Sequence, residues 1–311
     1  MAIPYRVLVS SLAFAVLVAG KPVIAQAAGG VGDAYITSDA SNIVRAYAGA
    51  TGAYLGDHCS SVNAIGQLGI HFGASNGRFL VGAFGGGVDE FDAASGAYIK
   101  TYNPGGGVQW AGLYVPSGNV YIGSWNTNDV REYDAVTGAF IRVVCSALGS
   151  GGGLPSDMRI GPNGNLYVCL YGDASVMEVD VVTGAPINQW PVPGRPNDIA
   201  FISGEILVTS MGLNNCQRFD SSSLAPLGAF VGTGWDRPHG IDIGPSDGLI
   251  YIVDGVTTQV HVFDPVTFVE LNANWRAPDP EDKIVDIEFR RIDQPTPVRP
   301  VTWSKVKTLL Q

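Results

Sequence analysis

The segment Tyr133-Asp134-Ala135-Val136-Thr137-Gly138 is one copy of a short pattern that decides the fold. An apolar residue is usually followed by Asp, two variable residues, Thr or Ser, and often Gly. Related copies begin at Tyr47, Phe91, Val179, Phe219 and Phe263, at successive intervals of 44, 42, 46, 40 and 44 residues. Asp followed by small residues and Thr-Gly is typical of a tight turn, in which the carboxylate accepts backbone N–H groups and Gly supplies a positive φ. Six copies at this period predict the blades of a β-propeller.

Each turn is preceded by a second strand and, further upstream, by an innermost strand. The predicted innermost strands are Gly69–Phe72, Gly112–Val115, Met158–Gly161, Ile199–Ile202, Ile241–Gly244 and Ile284–Phe289. The first repeat lacks an innermost strand, and the last innermost strand has no repeat after it. We therefore predict an all-β, six-bladed β-propeller whose C-terminal strand completes the N-terminal blade, which removes open sheet edges. Seven blades with one degenerate repeat are the alternative, and the repeat count argues against them.

Two stretches carry a resemblance to a known family. The sequence from His239 to Asp254, running on to Asp264, resembles an NHL repeat, and the sequence from Ser156 to Val168 is similar. At the level of repeats the resemblance covers residues 31–293. It implies an NHL-like six-bladed propeller. Because such propellers include binding scaffolds, lactonases and lyases, it specifies the fold better than the function.

Composition and charge exclude some function classes. The chain carries a net charge of −10 and has no run of Lys or Arg, so it would repel a phosphate backbone, and we expect no nucleic-acid partner. The sequence contains neither a Walker-type phosphate-binding loop nor an HExxH motif, and we predict no GxSxG nucleophile elbow. Acidic groups could attract a cation such as Ca²⁺, or they could simply keep the protein soluble.

Both ends of the chain differ from the repeat region. Arg6, an apolar run from Val7 to Ala19 and the small residues Ala25 and Ala27 predict a signal peptide over residues 1–27. We therefore expect a secreted, periplasmic or cell-surface protein without an integral membrane segment in its mature form. The propeller is predicted over 28–293, and a Pro-rich linker and a short tail follow over 294–311. The tail could attach the protein to the cell surface, or it could be a frayed terminus.

The four cysteines show no metal-binding spacing. They are Cys59, Cys145, Cys169 and Cys216. An oxidising compartment permits disulfides, with three alternative pairings. Cys216 occupies a repeat column that otherwise holds Val, which favours a buried apolar thiol at this position.

Alignment of the innermost strands places Asp157, Asp198 and Asp286 in one ring at the channel entrance, with Asn197 one step earlier. The predicted metal ligands are Asp157, Asn197, Asp198 and Asp286. Oxygens that converge on an axis suit Ca²⁺, and the family resemblance implies that a channel calcium can polarise a carbonyl. The absence of a clear channel Glu departs from the gluconolactonase-like pattern. The same residues could instead hold ordered water or satisfy backbone donors.

The predicted ligand-binding residues lie in the loops of the same face. They are Trp110, Trp125, Tyr171, Trp235 and His239. Rigid aromatic side chains can stack on sugars or grip a peptide, although tryptophans in propellers also wedge between blades.

Two main functions remain open at this stage. The first is a non-enzymatic binding module for a protein, peptide or glycan on the channel face. The second is a Ca²⁺-dependent lactonase- or esterase-like hydrolase, or a lyase, with His239 as acid and base. A third possible function is that of a structural protein attached to the cell surface through its C-terminal tail.

Overall fold

The computed structural model describes residues 30–60, 66–73, 76–103, 105, 108–146, 148–149, 152–276 and 283–291. The predicted signal peptide and C-terminal tail lie outside the described residues. The described parts form strands and turns, and they contain no helix long and apolar enough to cross a membrane.

The strands form six antiparallel sheets, which are the blades of a six-bladed β-propeller. From the innermost strand outward, blade 1 contains β25 (Ile284–Phe289), β1 (Ala34–Ser38), β2 (Ile43–Tyr47) and β3 (Tyr54–Ser60). Blade 2 contains β4 (Gln67–Phe72), β5 (Arg78–Phe84), β6 (Gly87–Asp92) and β7 (Tyr98–Tyr102), with β8 (Val108–Gln109) paired to β5. Blade 3 contains β9 (Ala111–Tyr114), β10 (Val120–Ser124), β11 (Asp129–Tyr133) and β12 (Phe140–Cys145). Blade 4 contains β13 (Pro155–Ile160), β14 (Leu166–Leu170), β15 (Ser175–Val179) and β16 (Pro186–Pro191). Blade 5 contains β17 (Pro196–Ile202), β18 (Glu205–Ser210), β19 (Asn215–Asp220) and β20 (Pro226–Phe230). Blade 6 contains β21 (Pro238–Ile243), β22 (Ile250–Asp254), β23 (Val260–Phe263) and β24 (Glu270–Asn272).

The ring closes as the sequence predicts. Strand β25 pairs antiparallel with β1, so that Asp286 lies opposite Thr37 and Glu288 lies opposite Tyr35. Blade 1 therefore contains strands from both ends of the repeat region, and this pairing closes the ring.

The repeated turn works in the way its sequence indicates. In blade 3, Oδ1 of Asp134 accepts the N–H groups of Val136 at 3.0 Å and Thr137 at 2.7 Å. These bonds, with that from the Thr137 hydroxyl, lower the pKa of Asp134. In blade 4, a Cβ on the turn residue Gly184 would lie 1.8 Å from the carbonyl oxygen of Val144 in blade 3. The glycine therefore lets the turn of one blade touch the outer strand of the blade before it.

The hydrophobic core is divided into clusters between neighbouring blades. Strands such as β14, β15 and β22 are buried on both faces, because each blade packs against two others. The four cysteines are free and buried, and each belongs to a different cluster. Cys216 lies in the apolar cluster between blades 5 and 6, as its repeat column predicts.

Candidate functional site at the channel entrance

The innermost strands all begin at one face of the propeller, here called the entrance face. Since neighbouring strands in a blade are antiparallel, the second strands end at this face and the third strands begin there. Loops from all six blades therefore meet around the channel mouth, which is where propellers concentrate their binding residues.

Four of the five predicted ligand-binding residues form one row across this mouth. The rings of Trp110 and Trp125 are nearly parallel, at an angle of 4° and a centroid distance of 5.3 Å. The imidazole of His239, from the opposite side of the ring, lies 6.2 Å from Trp110 at 14°. Tyr171 continues the row 5.4 Å beyond Trp125. Arg195 ends it, with its guanidinium carbon 5.5 Å from the Tyr171 ring and Nη1 donating to the Tyr171 hydroxyl at 3.2 Å.

The members of this aromatic row differ in access to solvent. Trp110 is only 7% exposed, whereas Trp125, Tyr171 and His239 are half-buried and Arg195 is exposed. Stacking within the row leaves less ring face for an incoming sugar than a lone aromatic residue would offer. The row therefore presents ring edges and a guanidinium to a ligand.

Trp235 lies apart from the aromatic row. Its ring packs 5.4 Å from Phe263 and 5.7 Å from His261, in the core between blades 5 and 6, and only 8% of the residue is exposed. In this structure it serves as a wedge within the core.

A local backbone conformation that recurs in three blades positions Arg195. Arg195 and Arg237 both precede a proline and both have φ of 68°, and Leu154 occupies the same place in blade 4 with φ of 49°. The carbonyl of Arg195 accepts the N–H of Met211, and that of Arg237 accepts the N–H of Gly255. Left-handed backbone is unfavourable for a residue with a Cβ, so these bonds to the residue directly after the second strand hold a strained conformation.

A small axial cavity of about 10 Å³ lies against Trp110. It is lined by Gly69, Trp110, Ser156, Asp157, Asn197, Asp198, Val285 and Asp286. The structure thus brings the four predicted metal ligands to one place, next to the aromatic row. A cavity of this size has room for about one water molecule.

Two carboxylates of this ring join neighbouring blades. Asp198 accepts the N–H of the next residue in its own strand at 2.6 Å and, with the other oxygen, the N–H of Ile241 in blade 6 at 2.7 Å. Asp286 likewise binds the next residue and Ile70 of blade 2, both at 2.8 Å. Burial, followed by neighbouring carboxylates, raises the pKa of Asp198 well above its usual range. Burial likewise raises the pKa of Asp286.

The donor set around the cavity does not match what Ca²⁺ requires. Calcium takes six to eight oxygen ligands, whereas Asp198 and Asp286 already use their oxygens on backbone N–H groups. Oδ2 of Asp157 and Oδ1 of Asn197 have no hydrogen-bond partner among the described residues. Those residues also contain no group of three or more His, Cys, Asp or Glu side chains placed to hold a metal ion. Calcium therefore stays a prediction, and we derive no chemistry through it.

The guanidinium of Arg159 lies buried in the channel, two residues beyond the ring position of its strand. Our sequence analysis did not identify it. Nη1 of Arg159 lies 2.7 Å from Oε2 of Glu288, and its other nitrogens lie 3.6 Å from Asp157 and 3.9 Å from Asp198. Burial works to lower the pKa of Arg159, but these carboxylates raise it well above its ordinary value. Burial also raises the pKa of Glu288, to about 7. Arg159 thus supplies within the channel the positive charge that a metal ion would otherwise supply.

Asp242 extends the same network to blade 1. One of its oxygens accepts the N–H of Phe289 at 2.8 Å, and the other binds the guanidinium of Arg291. Arg159, Asp242 and Glu288 each follow a ring position by two residues. The alternation of side chains along a strand could therefore have identified them.

His239 is poorly suited to donate a proton at neutral pH. Burial, followed by the charge of Arg237, lowers the pKa of His239 to about 4. Its Nδ1 has no hydrogen-bond partner in the part of the chain that the structure describes. A Cβ at Gly255 would lie 2.6 Å from its ring, so this glycine makes room for the imidazole.

The fold and the entrance face together define a six-bladed β-propeller with an aromatic row across its channel mouth. Solved structures with a similar fold include a protein of unknown function from Bacteroides caccae, with a TM-score of 0.65, 13% identity, and coverage of 82% of this chain and 97% of that one. A chain of a nidogen/laminin complex has a TM-score of 0.68 and 11% identity, with coverage of 84% of this chain and 99% of that one. At these identities the likeness shows the fold alone. No family model matches this chain, and no curated protein matches it.

Proposed function

We propose that this chain is a secreted, NHL-like binding module whose entrance face engages a protein or peptide. The observation that carries the proposal is the aromatic row, whose half-buried rings end in the exposed Arg195. Tyr, Trp and Arg are the residues most enriched among those that dominate the energy of protein interfaces.

Exposed apolar side chains around the row support the same proposal. Phe84, at the end of β5, is 41% exposed. Leu213 and Val256, in the turns between the second and third strands of blades 5 and 6, are 52% and 48% exposed. A face with apolar groups from several blades around a Trp-Tyr-Arg centre resembles a protein interface more than a sugar site, because a sugar site needs open ring faces. The similar chain in a nidogen/laminin complex shows that this fold occurs in protein complexes.

A photo-crosslinking experiment tests this proposal. A photoreactive amino acid is placed at Leu213 on the entrance face, or at Val136 on the opposite face, where the turn is 87% exposed. Each full-length protein is irradiated with the exported proteins of its own host. We expect a discrete crosslinked partner from position 213 only, and its loss when Tyr171→Ala and Arg195→Ala are added. Equal products from both positions, or none from position 213, would refute the proposal.

The Ca²⁺-dependent hydrolase or lyase is the second candidate, and one observation favours it: Oδ2 of Asp157 and Oδ1 of Asn197 accept no hydrogen bond from the described residues at the cavity. Calorimetric titration of the chelator-treated protein with Ca²⁺ tests it. Heat of binding that disappears in Asn197→Leu would support this candidate. A flat titration would remove it without affecting the binding module.

A further inference from the structure

A second cavity opens at the other end of the channel, where the innermost strands of blades 4, 5 and 6 end. Its volume is about 330 Å³, within the range of small-molecule sites. We call it the exit cavity and this side of the propeller the exit face. No residue of the aromatic row lines it. Its lining includes Ile160, Phe201, Asp242, Ile243, Pro245 and Arg291.

The wall of the exit cavity is an apolar shelf. Ile160, Phe201 and Ile243 occupy the same register position on β13, β17 and β21. Each packs on one side against the core between two blades and keeps part of its surface exposed. The exposed Pro245 continues the shelf in blade 6. Such a surface gains free energy when an apolar side chain covers it.

The charged groups at the base of the exit cavity are already paired. The guanidinium of Arg291 binds Asp242 and donates to the carbonyl of Ile243 at 2.8 Å. Nη1 of Arg159 lies 2.7 Å from Oε2 of Glu288. The cavity therefore does not select a small anion. The side chain of Arg291 is 35% exposed, so its planar group remains accessible to an aromatic ring.

The exit face beside the cavity carries carboxylates. The repeated turn lies on this face, and its Asp accepts the N–H three residues ahead at 2.7 Å, from Ser223 in blade 5 and from Thr267 in blade 6. These bonds lower the pKa of Asp220 and of Asp264, so both carry a negative charge at neutral pH. Asp247 is exposed two residues after Pro245. A cationic segment is therefore favoured next to the apolar shelf.

The chain itself arrives at this cavity. The structure describes the last innermost strand up to Arg291, whose side chain lines the cavity, and the sequence continues to residue 311. Trp303 lies twelve residues beyond Arg291. Twelve residues span up to about 40 Å when extended, so Trp303 can reach any part of the exit cavity.

The composition of this tail complements the exit face. Residues 294–311 contain three cationic residues and no Asp or Glu, on a chain whose net charge is −10. Three large apolar residues recur at intervals of three and four, the spacing that places side chains on one face of a helix. The cationic residues are Arg299, Lys305 and Lys307, and the apolar ones are Trp303, Val306 and Leu310.

From these observations we propose that the tail over 294–311 folds back and docks in the exit cavity. Trp303 packs on the apolar shelf and against the guanidinium of Arg291, while Lys305 and Lys307 approach the carboxylates of the exit face. Because the tail is tethered beside the cavity, its local concentration there exceeds that of a free ligand. The docked tail closes the exit end of the channel and leaves the entrance face open.

Intramolecular photo-crosslinking of the full-length chain tests this proposal. A photoreactive amino acid replaces the exposed Pro245 in the cavity wall, and the protein is irradiated at low concentration. We expect a crosslink within one chain that maps to residues 300–311 and whose yield falls as salt is added. The matched control is Val136, on a turn of the same face in blade 3 and 87% exposed, which should not capture the tail.

Substitutions in the tail separate docking from the stability of the propeller, because they change no residue of a blade. Trp303→Ala, and Lys305→Glu together with Lys307→Glu, should each lower the yield by about fivefold or more. Thr308→Ala lies on the other side of the helical period and should leave the yield unchanged. Equal capture from positions 245 and 136, crosslinks only between chains, no capture of the tail, or an undiminished yield in Trp303→Ala would overturn the proposal.

Discussion

Gly240→Ala tests whether the inner carboxylates hold neighbouring blades at a fixed spacing. Gly240 lies in β21 of blade 6, in the ring position that Asp157, Asp198 and Asp286 occupy in their own blades. A Cβ at this position would lie 2.3 Å from Oδ1 of Asp286, 2.6 Å from its Cα and 2.9 Å from the nitrogen of Ile287. Gly240 is not among the residues with positive φ, so the substitution adds a steric conflict without backbone strain.

The size of the effect follows from these distances. Carbon atoms in contact prefer about 3.5–4.0 Å, so β21 and β25 would have to separate by roughly 1 Å. Overpacking of this kind costs about 1–3 kcal/mol, and weakening one hydrogen bond of Asp286 adds about 1 kcal/mol. We expect a loss of about 3 kcal/mol, which lowers the melting temperature by roughly 6–12 °C.

Thermal unfolding followed by circular dichroism or calorimetry measures this loss. Gly152→Ala is the matched control, because its nearest neighbour would be Oδ1 of Asp173 at 3.9 Å and its φ is also not positive. It should melt like the wild type. If Gly240→Ala also melts like the wild type, the blades have more freedom than the carboxylate contacts imply, and our account of the inner ring is wrong.

Three further predictions follow from the channel and the core. Because the folded-state pKa of Glu288 is raised from 4.5 to about 7, its contribution to stability is fully present below about pH 4.5 and is lost as the pH rises through about 7. The free energy of unfolding in urea should therefore be lower at pH 8 than at pH 5, by on the order of 3 kcal/mol in the wild type. The difference should be smaller in Glu288→Gln. The four buried thiols should resist a thiol reagent in the native protein and react on unfolding, and a fast-reacting thiol would contradict their burial. Trp125→Ala should shorten the aromatic row and weaken the crosslink from position 213 with little change in melting temperature, whereas an unchanged crosslink would count against the row as the binding surface.

The propeller itself could be predicted because the repeat is a property of local sequence. The turn beginning at Asp134 forms through bonds to residues two and three positions away, so the same local pattern recurs wherever the turn does. The closure of blade 1 followed from strand counting, since the first repeat lacked an innermost strand and one innermost strand was left over at the C-terminal end of the repeat region. Neither step required knowledge of side-chain packing.

The entrance residues were harder to predict, because their roles depend on contacts between blades. The sequence places Trp110 and Trp235 in comparable loops, yet one caps the channel and the other packs in the core between blades 5 and 6. The ring carboxylates were found by alignment, but their bonds to N–H groups of the next blade, such as Asp198 to Ile241, depend on the spacing between blades. No sequence pattern predicts the spacing between blades.

Arg159 changes how the channel should be understood. Several buried carboxylates around one axis would repel each other strongly, and proteins resolve such a conflict with a proton, a metal ion or a paired cation. Here the guanidinium of Arg159 lies 2.7 Å from Glu288 and within 4 Å of Asp157 and Asp198, so a cation built into blade 4 already offsets that repulsion. A divalent ion entering the axial cavity would add its charge beside this guanidinium and would have to compete with the backbone donors of Asp198 and Asp286. The chemistry of this channel therefore favours a structural axis, and the aromatic row above it is the surface on which our proposed binding function depends.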